Sequence, residues 1–354
     1  MTVKLMRGDL LRQTDVDAIV NTVNCVGVMG KGIALQFKNK WPENTRAYQA
    51  ACKRGLVRPG KMFVFDTGGL VKPHFIVNFP TKDHWRAKSK LEFIEDGLVD
   101  LSDEIRRLKI QSIAVPPLGC GNGGLDWGEV RPLIERSFAK MPDVEVRLFE
   151  PVGAPGAKDM EVRTPRPNMT RGRAAVLKLL ETYQSLNSGV SRLEVQKLAY
   201  FLQEAGEDLN LMFEKNEYGP YSDALRHVLN RMEGHFIRGV GDGVVESEIE
   251  PCADALSEAQ DFFEREGDEA LEGQVRRIAT LIDGFQSPYG MELLATVHWV
   301  ATYDAGSNPI AASEAIAEWS PRKRRLMQPE HVAAAWERLS RHGWIRSPEH
   351  SIQY

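Results

Sequence analysis

A chain of 354 residues has room for two or three domains, each able to bury a core of its own. Its composition, 42% hydrophobic and 27% charged, is that of a globular protein in water and excludes a fibrous or disordered chain. The formal charge of −4 is the sum of unlike halves, a net +5 up to Pro155 and −9 beyond it; either the first half sits on nucleic acid and the second would repel it, or the difference is chance variation in surface charge. The four cysteines, Cys25, Cys52, Cys120 and Cys252, form no CxxC pair and no cluster with histidine, so no metal site, no disulfide framework and a reduced, cytoplasmic setting are expected. The start of the chain is charged from Lys4, unlike a signal peptide, and no apolar run is long enough for a membrane span.

In chain order, Ala18–Val23 reads as a strand and Gly32–Trp41 as a helix. Strands follow at Met62–Asp66 and Phe75–Phe79, then a helix over Leu91–Leu108, a strand at Ile113–Pro116, a helix over Glu129–Lys140 and a strand at Val144–Phe149. This alternation predicts an α/β sandwich on a largely parallel sheet. Prolines and glycines between Pro151 and Pro167 mark an exposed linker, which places a first domain at residues 1–155, the linker at 156–169 and a second, mostly helical domain at 170–354. There Ser191 and Glu194 form a capping box ahead of Leu198, Phe201 and Leu202, and Gly206 closes that helix. Helices are predicted over Ser222–Met232, Ala255–Glu266, Glu269–Asp283, Met291–Tyr303 and Glu330–His342. The basic run Pro321–Arg325 reads as a solvated loop, and Pro329–Ile345 as a helix followed by a strand.

Three segments, each directly after a predicted strand, carry the chemistry. Asn24-Cys25-Val26-Gly27-Val28-Met29-Gly30-Lys31-Gly32 runs into a helix, and its glycines would let the backbone approach a phosphate at the helix N-terminus. Pro116-Pro117-Leu118-Gly119-Cys120-Gly121-Asn122-Gly123-Gly124 is a second such loop, and the two together would clasp a diphosphate. Asn78-Phe79-Pro80-Thr81-Lys82-Asp83-His84-Trp85 puts a lysine at the end of a third strand, with His84 read as a packing or surface histidine. Cys25 and Cys120 have no partner base in the sequence and read as packing residues.

The order Arg7-Gly8-Asp9-Leu10, Ala18-Ile19-Val20-Asn21, Gly30-Lys31-Gly32-Ile33-Ala34 and Pro117-Leu118-Gly119-Cys120-Gly121 resembles the macrodomain family over about the first 150 residues. The wording of residues 21–32 and 78–82 is similar to its DNA ADP-ribosyl glycohydrolase antitoxins, which reverse the ADP-ribosylation of bases in single-stranded DNA by a DarT-like ADP-ribosyltransferase toxin. The resemblance implies a three-layer α/β/α sandwich with a mixed, largely parallel sheet, and ADP-ribose as ligand and product. It implies that Asp9, with Leu10, holds the adenine and that residues Gly27 to Gly32 line the pyrophosphate and distal ribose. It also implies that Gly119 to Gly123 form the second phosphate loop, with Pro117, Leu118 and Thr81 beside it. Asn24 would orient the distal ribose and Lys82 would be the catalytic residue, a lysine that attacks the anomeric carbon in related terminal ADP-ribose glycohydrolases. Those relatives carry an acid where this chain has Gly123, and Asp126 is the nearest carboxylate along the sequence.

Residues 193–202 and 218–222 resemble the Panacea (SocA-like) antitoxin domain, which implies direct binding of the toxin. Between Asp242 and Glu272 there are 12 acidic residues and one basic residue, Arg265, and Glu264, Glu266, Asp268 and Glu269 are expected to imitate DNA toward the toxin or simply to face solvent. Two other readings of the first domain stay open: a non-catalytic ADP-ribose reader, which would need the loops and Asp9 but not Lys82, and an ADP-ribose 1″-phosphate phosphatase.

Overall fold

The first strand of the computed structural model, which describes residues 3–152, 155–184, 189–243, 247–266, 269–304 and 306–345, is one that no hydrophobic run announces. This strand, β1 (Val3–Met6), pairs in parallel with the last strand of its sheet. It is followed by β2 (Ala18–Val23), α1 (Gly32–Lys40), α2 (Pro42–Lys53), β3 (Phe63–Asp66), β4 (Phe75–Pro80), α3 (Leu91–Leu108), β5 (Ser112–Val115), α4 (Trp127–Phe138) and β6 (Glu145–Phe149). Helix α2 was not expected from the sequence. It starts on Pro42, whose missing N–H is harmless in a first turn.

The sheet order is β1-β6-β5-β2-β4-β3, parallel throughout except for β3 against β4, so the sheet is mixed and largely parallel as expected. Side chains alternate across it. Ala18 and Val20 of β2 join Ile94, Leu98 and Ile134 of α3 and α4 in one core, whereas Ile19 points the other way and packs with Phe37 of α1. Helices therefore cover both faces, which makes three layers. Val23 of β2 lies opposite Pro80 of β4, so the loops leaving both strands start level with each other.

The chain divides into two units, Met1–Pro165 with Gly241–Val245, and Arg166–Val240 with Glu246–Tyr354. Residues of the expected exposed linker carry contacts: Glu161 pairs with Lys40 at 2.8 Å, and the Arg163 N–H donates to the Asn39 carbonyl at 2.8 Å.

In the second unit the described helices are α5 (Arg171–Gln184), α6 (Arg192–Glu204), α7 (Asp223–Met232), α8 (Ala253–Glu266), α9 (Glu269–Ile282), α10 (Pro288–Tyr303), α11 (Pro309–Trp319), α12 (Pro321–Leu326) and α13 (Pro329–Arg341). The capping box of Ser191 and Glu194 opens α6, and Gly206 follows it with φ +103°. Helix α10 buries successive residues from Gly290 to His298, the mark of a helix enclosed on all sides. The basic run at Pro321 is not a solvated loop. It is α12, with Lys323 fully buried against Glu292 at 2.6 Å and Arg322 bound to both oxygens of the same carboxylate. Two cations on one buried carboxylate explain why a run that reads as a surface loop folds inward. After α13 no strand follows among the described residues.

Candidate functional site

The C-terminal ends of β1, β2, β4 and β5 all open at one edge of the first unit, and every sequence-predicted site residue sits on the segments that leave them. Parallel strands bring their following loops to a common edge, which is where α/β sheets bind ligands.

After β1, the Asp9 carboxylate accepts the Leu11 N–H at 2.8 Å and so caps the short turn Leu10–Arg12. Leu10 is buried behind it.

After β2, Asn24 is buried and braces the first glycine loop from within. Its Oδ1 accepts the N–H groups of Val26 (3.0 Å) and Val28 (3.3 Å), and its Nδ2 donates to the Val28 carbonyl at 2.5 Å. Gly27 sits at φ +80°, a conformation that favours glycine, and its carbonyl accepts from Gln49 at 3.2 Å. Val28 is exposed while Met29 is buried against Thr45, so the loop turns one side chain outward and anchors the next. Gly30 and Lys31 lead into α1, whose first N–H, on Gly32, donates to the Asp242 carbonyl at 3.0 Å.

After β5, Pro117 and Leu118 lead into the second loop. Its Gly119 has φ +72°, and a Cβ there would lie 2.8 Å from Leu125. Cys120 folds back with its N–H on the Pro117 carbonyl, and Gly121 and Asn122 form the exposed tip. At Gly123 a Cβ would lie 2.2 Å from the Gly119 carbonyl oxygen and 2.3 Å from Ser89 Oγ. No side chain fits there. The position at which the family resemblance implied an acid is thus closed by backbone here, and Asp126, exposed just before α4, has no lysine or arginine within ion-pair distance among the described residues.

After β4, the Thr81 N–H extends the sheet by donating to the Val23 carbonyl at 3.0 Å. Lys82 Nζ donates to the Asn122 carbonyl at 2.9 Å, so the amine spans from the end of β4 to the tip of the second loop. No carboxylate lies within 4 Å of it among the described residues. Partial burial without a counter-charge pushes its pKa below that of a free lysine. Burial acts oppositely on the two thiols, raising Cys25 to about 12 and Cys120 to about 11. Both stay protonated near neutrality and suit the packing role expected for them.

A polar layer that the sequence reading missed lies under these loops. The fully buried Asn78 hydrogen-bonds to both Asn21 and Asn44, also fully buried: its Oδ1 accepts from Asn21 Nδ2 at 3.0 Å and its Nδ2 donates to Asn44 Oδ1 at 2.7 Å. The buried Tyr48 hydroxyl donates to the Asn24 carbonyl at 2.5 Å. Asparagine in the middle of two strands was the available signal, since such a residue has to find partners. Groups of histidine, cysteine and acidic side chains able to hold a metal are absent among the described residues, and no described helix is long and apolar enough to cross a membrane.

The Macro domain family model matches residues 20–134. A DNA ADP-ribosyl glycohydrolase of Thermus aquaticus is 46% identical over 348 residues, covering 98% of this chain and 95% of its own length. A DNA ADP-ribosyl transferase-DNA ADP-ribosyl glycohydrolase fusion protein of Thermosipho africanus is 32% identical over 163 residues, 42% of each chain. Among solved structures, the macrodomain of Mycobacterium tuberculosis DarG is 59% identical and covers 42% of this chain and 98% of its own, with a TM-score of 0.42.

Proposed function

Because this chain belongs to the DNA ADP-ribosyl glycohydrolases, with a macrodomain as its first unit, we propose that it hydrolyses the glycosidic bond between ADP-ribose and a base of single-stranded DNA, and that its second unit binds the DarT-like transferase that makes this modification. The observation that carries the enzymatic half is Lys82. A reader of ADP-ribose has no use for a partly desolvated amine, free of carboxylates and held over the second glycine loop.

The diphosphate lies between the backbones of residues 27–32 and 119–123, where glycines allow close approach, and Asp9 takes the adenine amino group. The distal ribose then reaches Asn24 and Lys82. The neutral amine of Lys82 attacks the anomeric carbon. Its lone pair forms the new C–N bond as the bond to the base breaks, the base leaves with that electron pair and takes a proton from solvent, and water later displaces the lysine to release ADP-ribose. Asn24 works by keeping the first loop, and so the ribose, in place.

The phosphatase reading finds no support in Lys82 and is disfavoured by a relative of nearly equal length that is named a glycohydrolase. The partner half rests on the acidic face of α8 and α9, where Asp261, Glu264, Glu269 and Glu272 are exposed, opposite buried Ala255, Ala259 and Phe263. The Glu266 side chain and Asp268 lie outside the described residues. A transferase that grips single-stranded DNA needs a positive groove, and this face is complementary to one.

Lys82→Ala tests the enzymatic half. Release of ADP-ribose from a modified oligonucleotide should fall by at least 100-fold while the affinity for free ADP-ribose, measured by calorimetry, changes by less than about tenfold. A variant that releases ADP-ribose at the unaltered rate excludes Lys82.

A further inference from the structure

The segment after β4, Thr81–Lys90, is fixed at both ends and open between them. At its start the Asp83 carbonyl accepts the Cys25 N–H at 3.0 Å, tying it to the first glycine loop. At its end the Ser89 N–H donates to the Gly123 carbonyl at 3.0 Å, tying it to the second. Between these ties, Asp83 through Lys88 are exposed. The Ala87 N–H donates to the His84 carbonyl at 2.9 Å and the Arg86 N–H to His84 Nδ1 at 3.3 Å, so a defined turn holds Trp85 outward.

Trp85 is 47% exposed, and among the described residues the rings and cations near its indole are its own sequence neighbours, His84 at 5.4 Å and the Arg86 guanidinium at 4.6 Å. An indole that packs for stability is buried on both faces. The segment also holds four cations, Lys82, Arg86, Lys88 and Lys90, against one acid, Asp83, and Arg86, Lys88 and Lys90 have no ion-pair partner among the described residues. Sites for single-stranded nucleic acid combine an exposed aromatic face, on which any base can stack, with cations that follow the phosphates.

We propose that Trp85 is a stacking platform for a base of the DNA strand that carries the ADP-ribose, with Arg86 and Lys88 meeting the adjoining phosphates. The inference rests on the glycohydrolase reading of this unit and extends it outside the cleft. ADP-ribose ends at Lys82, the strand must leave the cleft there, and Trp85 stands three residues further along the same exposed turn. The glycine loops recognise ADP-ribose on any carrier. This turn is what makes a nucleic acid, rather than a protein, the preferred carrier.

The test uses the full chain with Trp85→Ala, Trp85→Phe and the double variant Arg86→Ala/Lys88→Ala. Loss of a base stack is expected to lower kcat/KM on an ADP-ribosylated single-stranded oligonucleotide by about tenfold or more in Trp85→Ala, while Trp85→Phe keeps most of it. The affinity for free ADP-ribose stays as in the unaltered chain. Anisotropy with the unmodified oligonucleotide should show weaker binding by Trp85→Ala, and a salt dependence shallower by about one to two phosphate contacts in the double variant. Unchanged kcat/KM and oligonucleotide binding in Trp85→Ala overturn the platform, as does an equal loss of ADP-ribose affinity, which would put the indole in the cleft. If the unaltered chain does not release ADP-ribose from the oligonucleotide, the glycohydrolase reading fails, and the anisotropy arm still decides whether Trp85 holds DNA.

Discussion

Adding one methyl group to Gly123 is the most informative perturbation of the second loop. A Cβ there would sit 2.2 Å from the Gly119 carbonyl oxygen, about 1 Å inside contact distance, and 2.3 Å from Ser89 Oγ. Neither obstacle moves freely. Gly119 is held at φ +72° with its carbonyl accepting the Leu125 N–H, and the buried Ser89 is tied to Gly123 itself. Relief requires the loop to shift, and overpacking of this kind costs about 1–3 kcal/mol. In a unit of this size that lowers the midpoint of thermal unfolding by roughly 2–10 °C. If ADP-ribose needs the loop in its original conformation, restoring it opposes binding, which weakens by about 5- to 150-fold. Gly121→Ala is the matched control, because a Cβ at Gly121 meets no atom within 4 Å and its φ is not positive. The assay is scanning calorimetry of both variants, with titration of ADP-ribose into Gly123→Ala. Gly123→Asp, which would restore the acid of the related enzymes, should fare no better than Gly123→Ala. If Gly123→Ala melts and binds like the unaltered chain, the argument that backbone closes this position is refuted.

Three further outcomes are expected. Since burial lowers the Lys82 pKa, the neutral amine gains population at a lower pH than in a free lysine, so the single-turnover rate should rise with pH through that lowered value and then level off; a flat profile from pH 6 to 10 would mean that Lys82 does not act as the free amine. Lys197, 1% exposed and donating to the Pro220 carbonyl at 2.6 Å, is lowered by burial to about 7, so above that pH the unfolded chain holds a proton that the native second unit has lost, and stability should rise with pH toward the ordinary lysine value; urea unfolding at pH 7 and 9.5 should show that rise and Lys197→Met should remove it. Reversing Asp261, Glu264, Glu269 and Glu272 to lysine should weaken capture of the transferase by at least tenfold without altering ADP-ribose release, and equal capture by both forms would mean that this acidic face is not the docking surface.

Much of the first unit was legible because its signals are local. Five of its six strands and three of its four helices follow from runs of β-branched residues, periodic apolar positions and glycine breaks, and the loops after β2, β4 and β5 were placed correctly because a parallel sheet delivers them to one edge. What escaped depends on partners distant in sequence. β1 is a four-residue strand defined by pairing with β6 some 140 residues later. α2 was missed, and its purpose shows only through Tyr48 and Gln49, which reach back to the first glycine loop. α12 reads as a solvated loop until Glu292, on a different helix, supplies the charge that draws Lys323 inside. Asn24 was assigned to the ribose, and its amide is also engaged in shaping the loop around it, a use that no spacing discloses.

The missing acid bears on which bond this site can break. In the described residues no carboxylate stands within 4 Å of Lys82, and position 123 has no space for one. A glycosidase whose leaving group is a sugar alkoxide needs a proton delivered as the bond breaks, which is why such sites carry a positioned carboxylic acid. A nucleobase leaving through a ring nitrogen spreads the incoming charge over its ring and carbonyl oxygens, so it can depart before it is protonated, and solvent can supply the proton afterwards. On the role proposed for Lys82, a site with a partly desolvated amine for the anomeric carbon and, among the described residues, no carboxylate within 4 Å of it suits the second kind of bond. The backbone closure at Gly123, which at first looks like a defect in the catalytic pattern, is then consistent with ADP-ribose attached to a base and argues against an alkoxide leaving group.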